Sequence, residues 1–178
     1  MPNWVHNTII CKKNLAEHIL NEKGEATFSI LIPEPKTPEE CVEKYGKQYI
    51  DNGNAHLMHT ESDSWFNWYN WRYKFWGTKW NACDTETTET DELIMIAFDT
   101  AWSPPNPWIE KLASLNEPFI HHWMEEQGFG ACASFNSKNT IFYEFTDCYT
   151  YNEETDECEY DGSGDLPTEE EIQMFFFT

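Results

Sequence analysis

Basic residues are almost absent from the second half of this sequence. Residues 83–178 contain two Lys or Arg against 22 Asp or Glu, whereas residues 1–82 contain nine against ten. Nearly all of the formal net charge of −21 therefore belongs to the second half. A surface with this charge repels nucleic acid and anionic membranes and attracts basic partners. The alternative interpretation is that the carboxylates only keep the protein soluble.

Paired cysteines, secretory signals and membrane spans are absent as well. None of the six cysteines forms a C-x-x-C pair, which excludes a zinc ribbon or a thioredoxin motif. The amino terminus lacks the basic start and long apolar run of a signal peptide. The longest apolar runs, such as Leu93–Phe98, are too short to span a bilayer. We therefore expect reduced thiols and a cytosolic location.

The sequence also lacks the common motifs of catalysis and cofactor binding. Neither G-x-x-x-x-G-K nor G-x-G-x-x-G occurs, and there is no serine nucleophile elbow. His56 and His59 have the spacing of a helical metal site, but their surroundings are typical of a loop and offer no third ligand. The adjacent His121 and His122 would face opposite sides of a strand. We therefore predict a protein that is not an enzyme, with no catalytic residues, no cofactor and no metal.

What the chain does contain is a dense aromatic segment, Trp65–Asp84, which holds five of the nine tryptophans within sixteen residues. Aromatic side chains at this density form either the core of a small domain or a recognition surface. In the first interpretation Trp76, Trp80 and Trp102 form the core beneath the predicted helix, and Lys79 pairs with Asp84 or Asp99.

The second interpretation is a nucleotide site. The aromatic segment carries the basic residues Arg72, Lys74 and Lys79. A phosphate could meet Lys79 while a base stacks on Trp80. The possible ligand-binding residues are thus Arg72, Lys74, Lys79 and Trp80.

Local patterns predict a chain that mixes strands and helices. Strand formers predict strands over 4–11, 27–32, 80–88, 93–99 and 119–124, followed by short ones at 131–135, 140–145 and 148–151. Caps and prolines predict helices over 14–23, 37–49, 64–76, 106–115 and 168–177. The predicted caps are Asn14, Thr37, Ser64, Asn106 and Thr168. This order predicts an α+β fold with the ferredoxin-like split βαβ arrangement, in which two helices cover one face of an antiparallel sheet.

Several motifs resemble one known family. The start Met1-Pro2-Asn3-Trp4, the run WGTKWNA at 76–82 and the run TAWSPP at 100–105 are similar to the YubB ferredoxin-like family of small phage and plasmid proteins. The resemblance covers roughly residues 1–128. It implies the ferredoxin-like fold, a phage context and the cytosol of a bacterial host, and it transfers no catalytic residues. The acidic region Glu144–Glu171 and the run Cys11-Lys12-Lys13 depart from the family pattern.

The predicted organisation is one compact unit with two parts. Residues 1–128 form the ferredoxin-like domain, with a helical insertion at 37–76. Residues 129–178 form an acidic β-hairpin extension and a short C-terminal helix. The region Glu144–Glu171 holds twelve carboxylates and no Lys or Arg.

Spaced carboxylates on a rigid sheet can imitate the phosphates of a duplex and compete for the basic groove of a nucleic-acid-binding protein. We therefore predict an acidic phage protein that inhibits a basic host factor, such as a restriction or CRISPR component, without binding nucleic acid or membrane itself. The alternative is a protein that sequesters a nucleotide signal at the Trp/Lys patch. The predicted partner-binding residues are Glu153, Glu154, Asp156, Glu157, Glu159 and Asp161, with Tyr149, Tyr151 and Tyr160 as anchors.

Overall fold

The computed structural model describes residues 3–50, 66–126, 130–135, 140–145, 149–152, 155, 157–160 and 166–177, and between 131 and 160 it describes only the backbone, Thr155 excepted. Eight strands are formed in these ranges. They are β1 (Trp4–Lys12), β2 (Cys83–Glu89), β3 (Leu93–Ala101), β4 (Phe119–Glu125), β5 (Gly130–Phe135), β6 (Thr140–Phe145), β7 (Tyr149–Asn152) and β8 (Glu157–Tyr160). Six of them form one antiparallel sheet, and β7 pairs with β8 in a separate two-stranded sheet.

The order of the strands defines the fold. In the large sheet it is β2-β3-β1-β4-β5-β6, so that β1 lies between β3 and β4 and pairs with both. The connection from β1 to β2 passes over β3, and the connection from β3 to β4 passes over β1. These two crossovers form the split βαβ arrangement, which confirms the predicted ferredoxin-like α+β fold. β5 and β6 extend the sheet beyond β4.

Helices fill the crossovers and follow the last strand. They are α1 (Lys13–Ala16), α2 (Pro38–Lys44), α3 (Trp68–Phe75), α4 (Asn106–Ala113) and α5 (Glu169–Phe177), with 3-10 turns at Phe28–Ile30 and Lys47–Tyr49. The predicted start of α2 is confirmed, because Thr37 Oγ1 accepts a hydrogen bond from Glu40 N. The capping box of α5 is also confirmed, with Thr168 and Glu171 bonded to each other's backbone. None of the helices within the described ranges has the length and apolar character to cross a membrane.

Three local predictions are wrong. The helix expected over 14–23 is only one turn long and has no side-chain cap. The strand expected over 27–32 is a 3-10 turn, because Thr27 Oγ1 accepts from Ser29 N and thereby caps the turn. At the start of α4, Asn106 is already the first helical residue instead of the cap.

Two further helix limits differ in the insertion. Gly46, with a φ of +95°, ends α2 before the expected limit at Tyr49. Asn67 caps α3 by accepting from Asn70 N. The predicted cap Ser64 lies outside the described residues.

The main core lies between the helices and one face of the sheet. The side chains of Ile94, Ile96 and Phe98 on β3 point into it with the two-residue period of a strand. The aromatic residues Trp71, Trp76, Trp108 and Phe28 are fully buried against this face. The core predicted from Trp76, Trp80 and Trp102 is therefore confirmed for Trp76. It is wrong for Trp102, which is 48% exposed, and Trp80 is only half-buried.

The opposite face of the sheet is covered in part by α5. Phe176 is buried there against Ile10, Leu93 and Ile120. The alternation that sends Ile94 into the main core sends Leu93 to this second face. Over β1, β3 and β4, buried side chains therefore pack on both faces of the sheet.

Candidate functional site

Two loops interlock at the end of the sheet where β1 begins. One joins α3 to β2 and carries the WGTKWNA run, and the other joins β3 to α4 and carries the TAWSPP run. Ser103 Oγ donates to Gly77 O at 2.6 Å, and Thr78 Oγ1 donates to Ala101 O at 2.8 Å. The two runs that suggested a family resemblance therefore hold each other in place.

Glycine is required at the point of closest approach. Gly77 has a φ of +86°, in the left-handed region. A Cβ atom at this position would lie 2.4 Å from Cδ of Pro107 and 3.0 Å from the backbone nitrogen of Asn106. No real Cβ approaches other atoms so closely, so a side chain here would push α4 away.

A line of buried hydrogen bonds continues from these loops into the sheet. Thr100 Oγ1 donates to Ser103 O at 2.9 Å and accepts from Asn7 Nδ2 at 2.9 Å. Asn7 Nδ2 also donates to Val5 O, so Asn7 Oδ1 is left to accept from His121 Nε2 at 3.1 Å. His121 is thereby fixed as the Nε2–H tautomer.

Burial keeps His121 neutral. Loss of solvation lowers the pKa of His121 to about 3, and the neighbouring His122 adds a smaller effect in the same direction. Since His121 faces the buried line and His122 follows it on the strand, the two rings point to opposite faces, as expected. His121 is a structural residue of the core.

The arrangement of Arg72 commits it to the fold. Its Nε and Nη2 donate to the two carboxylate oxygens of Glu34 at 2.6 and 3.1 Å. The guanidinium also lies 4.8 Å from the ring centroid of Trp68 and 5.1 Å from that of Trp76. Nη1 donates to Lys79 O at 3.4 Å. Arg72 thus ties α3 to the chain around Glu34, and few of its donors remain for a ligand.

Lys79 and Trp80 are more accessible. Lys79 Nζ lies 4.8 Å from the ring centroid of Trp80, which in turn lies 6.1 Å from that of Trp4. Lys79 makes no ion pair within the described ranges, and Asp99 pairs with His6 at 2.7 Å. The expected pairing of Lys79 with Asp84 or Asp99 is therefore wrong.

Lys74, the fourth predicted ligand-binding residue, and Trp102 are both exposed. Lys74 is on the solvent side of α3. Trp102 is 48% exposed and has a φ of +72°, which is unfavourable for a large side chain. Its backbone N–H is anchored to Asn3 O at 2.8 Å. The loop therefore anchors the backbone of Trp102 and leaves its indole exposed.

The β2–β3 hairpin carries a cluster of carboxylates that sequence reasoning did not single out. We call it the acidic hairpin; its members are Asp84, Glu86, Glu89, Asp91 and Glu92. All five are exposed, and no Lys or Arg occurs between Lys79 and Lys111. Among the described side chains, one ion pair involves this cluster, that of Glu89 with Lys13 at 2.9 Å. Five carboxylates within nine residues were the signal that could have found it.

The predicted partner-binding residues are only partly placed. In the β7–β8 pair, Tyr149 is opposite Tyr160 and Tyr151 is opposite Cys158. Glu157 is opposite Asn152 and Glu159 is opposite Thr150. Glu153, Glu154, Asp156 and Asp161 lie outside the described residues.

The histidine pair and the cysteines add no metal site to these ranges. His56 and His59 fall outside the described residues. In the part of the chain that is described, no three His, Cys, Asp or Glu side chains converge on a point that could hold a metal. Cys11, Cys41 and Cys83 are free thiols, and burial raises the pKa of Cys11 to about 12 and that of Cys83 to about 11. These two thiols are therefore poor nucleophiles.

A comparison with known protein families agrees with the ferredoxin-like fold. The model of one family, described as the ferredoxin-like domain in Api92-like protein, matches residues 75–171, more than half of the chain. The chain belongs to this family. No curated protein and no solved structure matches the chain.

The range that matches the Api92-like ferredoxin-like domain also includes both acidic regions of the chain. It includes the acidic hairpin and the whole of Glu144–Glu171. The latter region was expected to depart from the family pattern, yet it lies within the matched range. The ferredoxin-like part of the expected resemblance is thereby supported.

Proposed function

We propose that this chain is a phage-encoded binding protein whose acidic surface occupies the basic, nucleic-acid-binding surface of a host defence factor. The observation that carries the proposal is the acidic hairpin, whose five carboxylates are exposed and, among the described side chains, make a single ion pair, that of Glu89 with Lys13. An exposed ion pair contributes less than about 1 kcal/mol, so it neutralises little of this field. The phage context is supported by the resemblance of the WGTKWNA and TAWSPP runs.

The region Glu144–Glu171 supplies further charge for the same role. The first turn of α5 holds Glu169, Glu170 and Glu171, all of them exposed. The acidic region Glu144–Glu171 contains no cation that could neutralise them internally. Spaced carboxylates on a sheet and a helix attract a basic groove over long range, as the phosphates of DNA do. In this proposal, the core that contains Trp71, Trp76 and Trp108 keeps the sheet that carries these charges rigid.

The test is competition with DNA for a captured partner. The immobilised protein is incubated with nuclease-treated bacterial lysate at low and high salt, and the captured proteins are eluted with duplex DNA. We expect capture to fall steeply with salt and DNA to release the partner. Neutralising the hairpin through Glu86→Gln, Glu89→Gln, Asp91→Asn and Glu92→Gln should weaken capture, as should Glu153→Gln, Glu154→Gln, Asp156→Asn and Glu157→Gln.

The matched control removes the same charge from the first half of the chain. Glu17, Glu22, Glu39 and Glu43 are exposed, and their replacement by Gln should leave capture unchanged. If both variants of the second half retained wild-type capture and salt dependence, the proposed function would be wrong. Equal losses in all three variants would reduce the effect to net charge.

A second candidate function is sequestration of a nucleotide at Lys79 and Trp80. The observation in its favour is that Lys79 has no carboxylate partner within the described ranges, while an indole lies beside it. A free ammonium next to an aromatic face can hold a phosphate while a base stacks nearby.

For this candidate, cyclic and adenine-containing nucleotides are screened by thermal denaturation. A ligand at a hundred times its Kd should stabilise the protein by about 2.7 kcal/mol, or roughly 6–10 °C in Tm. Lys79→Ala should abolish the gain, whereas Lys111→Ala, which removes an exposed lysine of α4, should preserve it. A flat response across the panel would exclude these nucleotides as ligands.

A further inference from the structure

β2 forms one edge of the large sheet, and the chain itself covers half of that edge. The segment Ala26–Phe28 lies beside the beginning of the strand. The backbone N–H groups at its two ends donate to Thr85 Oγ1 at 3.0 Å and to Asn81 Oδ1 at 2.8 Å. The other half, Glu86–Glu89, pairs with β3 in regular register on its inner side. No described strand pairs with its outer side, and we call this the open part of the edge.

The register shows which backbone groups point outward. Thr90 N donates to Leu93 O at 2.9 Å, so this is a hydrogen-bonded pair of the antiparallel ladder. Such pairs alternate with non-hydrogen-bonded ones, whose N–H and C=O groups point away from the neighbouring strand. Thr87 and Glu89 are therefore the residues whose backbone groups point outward, while those of Thr88 bond to β3. Within the described ranges, no backbone hydrogen bond outside the ladder involves Thr87 or Glu89.

The side chains along this edge define the charge of a complementary strand. Glu86, Thr87, Thr88 and Glu89 are all exposed, and the other carboxylates of the acidic hairpin lie at both ends of the segment. An extended segment with alternating Lys or Arg would meet carboxylates at its ends and along its length. Threonine is enriched in β-strands, so Thr87 and Thr88 suit a paired strand.

We propose that the partner inserts an extended basic segment as an additional strand along Glu86–Glu89. The N–H and C=O groups of Thr87 and Glu89 form its main-chain hydrogen bonds, and the acidic hairpin binds its Lys or Arg side chains. The inference rests on the proposed function, since it names the class of partner and its mode of docking.

A second copy of this chain is a poorer occupant of the edge. Two β2 strands placed side by side would bring two acidic hairpins together, and like charges opposite each other destabilise a sheet. Charged side chains on an open edge oppose self-association in the same way. Charge complementarity therefore selects a basic segment.

The experiment uses the full chain and two peptides with blocked ends and equal charge. One is an alternating Lys–Val decapeptide, which favours an extended strand, and the other is a Lys–Ala decapeptide, which favours a helix. Thr87→Pro removes one outward N–H without removing a ladder bond or a charge. We expect it to weaken binding of the Lys–Val peptide about tenfold, because one hydrogen bond is lost. Thr87→Ser keeps the N–H and should bind as the wild type does.

Amide hydrogen exchange on the wild type provides a second measurement, which does not depend on the folding of the proline variant. The amides of Thr87 and Glu89 should exchange fast in the free protein and slowly with the Lys–Val peptide bound, whereas the amide of Thr88 should be slow in both. If Thr87→Pro bound the peptide normally, or the two amides stayed unprotected, strand addition would be wrong. Self-association of the free chain that Thr87→Pro abolishes would also overturn it, in favour of a second copy.

The outcomes separate this inference from the proposed function. Glu86→Gln with Glu89→Gln should weaken both peptides, since it removes charge. Binding that responds to these two changes but not to Thr87→Pro would leave the acidic surface as the binding site and would overturn only its strand geometry. Loss of the response to charge would instead count against the proposed function.

Discussion

Replacing Gly77 by alanine should destabilise the protein by about 3 kcal/mol or more, enough to lower Tm by roughly 6–12 °C. The left-handed backbone costs an alanine about 1–2 kcal/mol, and overpacking against a rigid neighbour costs about 1–3 kcal/mol more. The neighbour here is the ring of Pro107, with the backbone of Asn106 behind it, and neither can turn aside as a flexible side chain does. The measurement is the free energy of unfolding in urea.

Gly24 provides the matched control. It has a φ of +78°, close to that of Gly77, but an added Cβ would meet no atom within 4 Å. Gly24→Ala should therefore lose only the backbone contribution, about 1–2 kcal/mol. Equal losses in the two variants would mean that the contact with Pro107 relaxes freely, and the two loops would not be interlocked as described.

The free energy of unfolding should fall by about 2 kcal/mol between pH 8 and pH 5 through His121 alone. The unfolded chain takes up a proton on this residue near its ordinary pKa of 6.5, whereas burial keeps the pKa in the folded state at about 3. The contribution of His121 to the free energy of unfolding is therefore fully present above pH 6.5. This contribution is lost as the pH falls from 6.5 towards 3, the pKa of His121 in the folded protein.

The effect is isolated by comparing the wild type with His121→Gln at both pH values. Glutamine can donate the same hydrogen bond to Asn7 Oδ1 but takes up no proton. The difference between the two chains cancels the contribution of the many carboxylates, which both share. His18→Gln removes an exposed histidine and serves as the control. The assignment would be wrong if the wild type and His121→Gln lost stability equally, or if the His121 ring titrated near pH 6.5 in the folded protein.

Much of the sheet could be predicted from the sequence, because its signals are local. The run Leu93–Phe98 favours a strand whose side chains alternate between the two faces of the sheet. The polar turn at Thr90-Asp91 separates this strand from the one before it, and together these signals specify a hairpin. Thr37 followed by Pro38 places the start of α2 for an equally local reason. The strand order then followed from the order of elements, since two crossovers leave few arrangements.

The failures have a tertiary cause. The residues over 27–32 favour a strand by composition. In the structure, Thr27 caps a 3-10 turn instead, and a tertiary hydrogen bond from Phe28 N to Asn81 Oδ1 holds the turn in place. The partner is 53 residues away in the chain, so no local pattern reports it. The helix expected from Asn14 ends at Ala16, and beyond it Ile19 O accepts a hydrogen bond from Thr27 N.

The candidate site shows the same division. The aromatic and basic residues were found by composition. The sequence did not show that Arg72 would form a bidentate ion pair with Glu34. Thirty-eight residues separate them, and their pairing depends on how α3 packs. The outward groups of Thr87 and Glu89 depend on the register of a hairpin, which becomes visible only when the ladder is built.

The central position of β1 affects the order in which the protein can form during synthesis. Its two partners, β3 and β4, begin about 80 and about 110 residues after it ends. At about 5–20 residues per second, the apolar side chains of β1 wait roughly 4–16 seconds for the first of these strands to leave the ribosome. β1 therefore has no strand partner in the growing chain until β3 has emerged, and we expect the chain to depend on chaperones until β4 has followed.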